Sequence, residues 1–80
     1  MYKRQAENHY TRALVSAQKI GAKAMEGQAH LGLGKLYREA GERNKAHDCF
    51  SSAIELFREC EADTFLEKAR EARSSLDLIT

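Results

Sequence analysis

Proline and tryptophan are absent from this 80-residue chain, and cysteine occurs only twice, as Cys49 and Cys60. Two cysteines fall short of the four or more that staple a small secreted domain, so free thiols in a reducing cytoplasm are the expected state. No apolar run approaches the roughly 18–20 residues of a membrane span. The opening Met1-Tyr2-Lys3-Arg4-Gln5 also lacks the apolar stretch of a signal peptide. A cytoplasmic location without membrane contact is the expectation. Charge of one sign is missing too. Thirteen basic residues stand against twelve acidic ones, a formal net charge of +1, which excludes the electrostatic footprint of a general nucleic-acid binder. Both signs are interspersed along the chain, as on solvated helix faces.

What the chain does contain is helix formers, enough for one core and no second domain. At this length folding buries roughly 60–65% of the unfolded surface, so apolar burial barely offsets the conformational entropy lost. Stability then depends on very regular packing or on neighbouring structure. Ala6, Tyr10, Ala13, Leu14 and Ala17 form one stripe at helical spacing, running to about Ile20, where Gly21 can take the left-handed C′ position. Ala29, Leu33, Leu36, Tyr37 and Ala40 form a second stripe, stopped by Gly41. Ala46, Phe50, Ala53, Ile54 and Phe57 form a third, ending near Cys60. A fourth, Phe65, Leu66, Ala69, Ala72 and Leu76, starts after Asp63-Thr64, and Thr64 with Glu67 has the spacing of a capping box. No segment alternates apolar and polar residues for long. The spacing therefore predicts an all-α fold of antiparallel helical hairpins joined by short turns.

A shift of 40 residues superimposes Ala6 on Ala46, Tyr10 on Phe50, Ala13 on Ala53, Leu14 on Ile54, Ala29 on Ala69 and Leu36 on Leu76. A sharper pattern lies within it. Leu33-Gly34-x-x-Tyr37 is followed by Ala46-x-x-x-Phe50-x-x-Ala53, and this resembles the tetratricopeptide repeat in residue types and mutual offset. Gly34 and Ala46 would let two helices approach closely, while Tyr37 and Phe50 fill the space between the hairpin and its neighbours. His30 occupies the aromatic slot, and Arg58 the slot where proline commonly closes the repeat. The resemblance implies a complete repeat over 27–60, the B helix of a preceding repeat at about 3–20, and a following A helix or cap at about 63–78. All belong to a single domain over 1–80, a four-helix fragment of a right-handed solenoid. About three such repeats are usually needed for stability, so a chain opening on a B helix reads as the C-terminal piece of a longer protein.

Ala6-Glu7-Asn8-His9-Tyr10, the segment Ala29 to Arg38 with its His-Leu-Gly-Leu-Gly-Lys-Leu-Tyr-Arg run, and Phe65-Leu66-Glu67-Lys68-Ala69 are similar to something narrower. They resemble the last repeats of bacterial signalling proteins, in which a class III adenylate or guanylate cyclase domain and an AAA-type ATPase module precede tetratricopeptide repeats. Related repeats also occur in bacterial transcriptional regulators with an ATPase core. The resemblance implies a regulatory or scaffolding segment with no enzyme activity of its own. Met1 to Gln5 share none of it.

Residues for catalysis are hard to assemble. Gly27, Gly32 and Gly34 sit inside a helix stripe, and Lys35 is followed by Leu36, so no phosphate-binding loop is formed. His47 and Cys49 diverge by about 200° on a helix, and Cys60 lies about 16 Å beyond Cys49 along it. Neither a metal site nor a disulfide follows. No catalytic residue, cofactor or metal is expected, and His30 reads as a buried hydrogen-bonding residue. In tetratricopeptide arrays the A helices line a concave groove that receives a peptide. The resemblance places Gln28, Leu31, Lys35 and Arg38 there, with Lys68, Glu71 and Ser75 continuing it. Their 3-4-3 spacing sets the first four on one helix face. An exposed Leu31 beside Lys35 and Arg38 would either grip an extended segment carrying an apolar anchor and a carboxylate or stand as a single apolar residue on an ordinary solvated face. Gly32 replaces the asparagine of carboxylate-clamp domains, which disfavours chaperone-tail binding.

Three readings fit this organisation. One is a non-catalytic module binding a protein or peptide segment, or adjacent repeats of the same protein. The second is a purely structural solenoid cap. The third is a helical bundle that self-associates through its exposed ends.

Overall fold

A computed structural model describes residues 2–78, and side chains over 4–76. Met1, Ile79 and Thr80, part of the single domain expected over 1–80, lie outside the described residues. Four helices follow one another, α1 (Tyr2–Ile20), α2 (Lys23–Glu39), α3 (Arg43–Glu59) and α4 (Asp63–Leu78), and all regular structure among the described residues is helical.

The helices stop where the backbone turns left-handed. Gly21, Gly41 and Glu61 have φ of 69°, 81° and 57° and stand twenty residues apart. Each is followed by the same pair of hydrogen bonds. The Gly21 amide donates to the Gln18 carbonyl at 3.3 Å and the Ala22 amide to Ala17 at 2.9 Å. Gly41 and Glu42 repeat this with Arg38 and Tyr37, as do Glu61 and Ala62 with Arg58 and Phe57. This is the Schellman closure, which satisfies carbonyls that a helix end would leave open. The residue after each left-handed one opens the next helix, because the carbonyls of Ala22, Glu42 and Ala62 accept from Glu26, Ala46 and Leu66. The capping box expected at Thr64 and Glu67 is therefore not what starts α4. The helix begins at Asp63, and Thr64 already lies within its first turn, because the Schellman turn delivers the chain to the helix two residues earlier than a Thr64 cap would.

The third turn sets a side chain in the left-handed conformation that glycine occupies in the other two. A left-handed L-residue costs about 1–2 kcal/mol, part of which glycine gives back as lost chain entropy. Glu61→Gly is expected to raise stability by about 0.5–1 kcal/mol in urea unfolding, and Gly41→Ala to lower it by a similar amount. Equal midpoints for wild type and Glu61→Gly would refute this account of the turn.

Consecutive helices pack on each other and α2 also touches α4, but among the described residues α1 reaches neither α3 nor α4. The result is an open row rather than a closed bundle, a slab of 35 × 29 × 16 Å. The 27–60 frame starts inside α2 and closes at the residue following α3. The main core joins Leu31 of α2 to Ala46, Phe50, Ala53, Ile54 and Phe57 of α3 and to Ala69, Ala72 and Leu76 of α4. Two glycines make the α2–α3 contact close. A Cβ on Gly27 would lie 2.6 Å from the Phe57 ring, and one on Gly34 would lie 2.5 Å from the Phe50 ring. The glycines are seven residues apart and so are the phenylalanines, two turns each, so antiparallel helices seat both rings directly on α2 backbone. Phe57 then stacks on Phe65 of α4, with ring centroids 5.3 Å apart.

Between α1 and α2, Ala17, Ala29 and Leu33 are buried, and the Tyr10 ring lies against Gly32. Tyr37 ties three helices together. Its hydroxyl donates to Glu7 of α1 at 2.5 Å, and the Lys45 ammonium of α3 lies 5.5 Å from its ring centroid. The hydrogen bond to Glu7, aided by burial, pushes the Tyr37 hydroxyl up to about 12, so it remains a donor throughout the neutral range.

Candidate functional site

The residues expected to line a groove fall into two groups. Gln28 and Lys35 are exposed on α2, and Lys68 and Glu71 are exposed on α4. Leu31 is not exposed. Only 7% of it meets solvent, because α4 folds back against α2 and the leucine enters the core shared with Ala69, Ala72 and Leu76. The apolar anchor expected for a ligand is thus part of the fold.

Arg38 is half-buried and structural in its contacts. Its Nη1 donates to Ser75 Oγ at 3.0 Å, and its guanidinium lies 6.0 Å from the Phe50 ring centroid. Ser75 in turn donates to the Ala72 carbonyl at 2.8 Å. This chain draws α2 and α4 side by side although α3 separates them in sequence. Under the forty-residue equivalence Lys68 of α4 occupies the place of Gln28 of α2. The outer side of the pair thus presents Gln28, Lys35 and Lys68, with the Lys68 ammonium 5.7 Å from the Phe65 ring centroid. Gly32, expected in the asparagine slot of a clamp, faces Tyr10 of α1 instead.

The signature residues hold the hairpin together. Leu33, Gly34, Ala46, Phe50 and Ala53 are buried, and Tyr37 is half-buried. His30 is half-buried too, in a shallow recess with Glu26, Ser52, Glu55, Leu56 and Glu59. Burial pushes its pKa below the usual imidazole range, while Glu26 pulls the other way. Cys49, half-buried, has its thiol pushed up by burial and by the Asp48 charge, which makes it a poor nucleophile. Both cysteines are free thiols. Among the described residues no group of three His, Cys, Asp or Glu is placed to hold a metal, and no helix is long and apolar enough to cross a membrane.

One feature escaped the sequence reading. Arg43, Asn44, His47 and Asp48 line an open recess beside Leu76. Their spacing along one side of α3 is the signal that could have found it. Arg43 Nη2 donates to the Leu76 carbonyl at 2.8 Å, so the arginine secures α4 against α3. Comparison with known protein families, curated proteins and solved structures finds no match for the chain.

Proposed function

We propose that the chain is a non-catalytic helical-repeat module of the tetratricopeptide kind that binds an extended protein segment along the outer side of α2 and α4. The observation that carries this reading is the Arg38–Ser75 link. It sets two helices of equivalent repeat position next to each other and leaves Gln28, Lys35 and Lys68 exposed. With Leu31 in the core, recognition rests on charge and hydrogen bonding, and the ligand is an extended segment bearing carboxylates. Glu71 keeps the surface from being uniformly basic. The same reading takes the chain as a regulatory or scaffolding segment of a larger bacterial signalling protein in the cytoplasm, following the resemblance of the segments around Ala6, Leu33 and Phe65.

A peptide array of extended acidic segments, probed with the labelled chain, tests the groove. Retained peptides are expected to bind Lys35→Glu/Lys68→Glu at least about tenfold more weakly, since the double reversal turns attraction into repulsion. Arg38 is left alone because it holds α4. Undiminished capture by a variant of normal helicity would sink the proposal.

A further inference from the structure

The forty-residue equivalence aligns α1 with α3 and α2 with α4, so burial can be compared position by position. Along α3, the flank carrying Ala46, Cys49, Ser52, Ala53 and Leu56 is buried or half-buried. The equivalent residues of α1 are Ala6, His9, Arg12, Ala13 and Ser16, and every one is a step more exposed. A helix, α2, covers that flank on α3, and among the described residues none covers it on α1. The opposite half of the same interface is exposed on α4. Where α2 applies Lys23, Gly27, Leu31 and Gly34 to its neighbours, α4 presents Asp63, Glu67, Glu71 and Ser74 to solvent.

We propose that these two half-interfaces meet between copies: α4 of one chain packs antiparallel on α1 of a second, in the register that joins α2 to α3, and the chains form a head-to-tail array. The occupant is a second copy because the two surfaces are inverted together. In the α2–α3 contact, small Gly27 lies against large Phe57, and Lys23 pairs with Glu59 at 3.0 Å. The same register between chains sets Asp63 against Lys19, both exposed, while Ala17, the counterpart of Phe57, is already buried within its own chain. Charge changes sides on both partners at once, so complementarity is retained. Ser74 against Tyr10 keeps the sense of Gly34 against Phe50. Arg12 and Lys19 give the α1 flank a basic character that suits Asp63, Glu67 and Glu71. One position clashes, since Arg70 takes the place of His30, which faces Ser52 and Glu59 across α3, and so comes against Arg12 and Lys19. Such a contact is heterologous, and repeated along a superhelix it extends instead of closing. It goes beyond the peptide-binding reading, with which it shares Glu71, and leaves Gln28, Lys35 and Lys68 uncovered.

Sedimentation of the full chain at low salt, from micromolar to millimolar concentration, tests the array. The weight-average mass is expected to rise continuously past twice the 9.0 kDa of one chain and to fall back as salt screens the charges. Lys19→Asp and Asp63→Lys should each weaken association at least about tenfold. An equimolar mixture of the two variants should regain it, because each chain then meets the opposite charge at both ends. Arg70→Glu should tighten association. All three residues are exposed, and circular dichroism checks that each variant keeps its helices. A chain that stays monomeric throughout overturns the proposal and makes the charged α4 surface a polar cap. So does a mass that levels off at the dimer, or a mixture that fails to recover.

Discussion

Replacing Phe57 by alanine is expected to remove about 3–5 kcal/mol of unfolding free energy, the range for truncating a fully buried phenylalanine. Phe57 has no exposed surface, rests on the backbone at Gly27 and stacks on Phe65, so α2, α3 and α4 all lose a contact. A chain of this length has roughly 4–12 kcal/mol in total at typical stability per residue. The variant should therefore unfold at far lower urea than wild type, and the weakest case leaves a largely unfolded population in buffer. Phe57→Leu keeps most of the volume and should lose about 1–2 kcal/mol. If alanine and leucine at this position shift the urea midpoint equally, the ring is not the junction of the three helices.

The second large effect reverses a rule. Alanine is about 1 kcal/mol better than glycine inside a helix, yet Gly34→Ala is expected to destabilise the protein by about 1–2 kcal/mol net of that gain, because overpacking at the upper end of the usual range, about 2–3 kcal/mol, outweighs it. The added carbon would meet the Phe50 ring at 2.5 Å, and Phe50, wholly enclosed, has nowhere to go. Gly32→Ala is the matched comparison on the same helix. It also meets a ring, that of Tyr10, but this tyrosine is only half-buried and sits on α1, which has no further helix behind it. Its ring can swing outward, so Gly32→Ala should cost less than Gly34→Ala and can come out neutral. The propensity gain cancels between the two variants, so the difference in their denaturation midpoints reads the freedom of the ring. Equal losses at both glycines would contradict this account.

The helices and two of their turns were legible because their signals are local. Four apolar stripes placed the helices, and Gly21 and Gly41 took the left-handed positions that end them. The third turn carries no such mark, since Glu61 holds the same geometry with a side chain that gives no hint of it. Thr64 and Glu67 offered a false signal of the same local kind, because a capping box is a spacing that also occurs within a helix. The burial of Leu31 was not legible at all. Its place on the polar side of α2 is a matter of helical period, and what covers it is α4, some forty residues further on. For the candidate groove, the helical period put Gln28 and Lys35 on the side of α2 that the structure leaves exposed. It could not show that Arg38 would be spent on Ser75, because that depends on how closely two non-consecutive helices lie.

The open row of helices also governs how the chain reaches its structure. Because among the described residues α1 touches α2 but neither α3 nor α4, order can spread from one helical hairpin to the next. Each step closes a loop of only two or three residues before new surface is buried, so little entropy is lost ahead of its compensation. Such a topology favours rapid folding, in microseconds to milliseconds. It also allows α1, held by a single neighbour, to detach and reseat while the α2–α4 core stays intact.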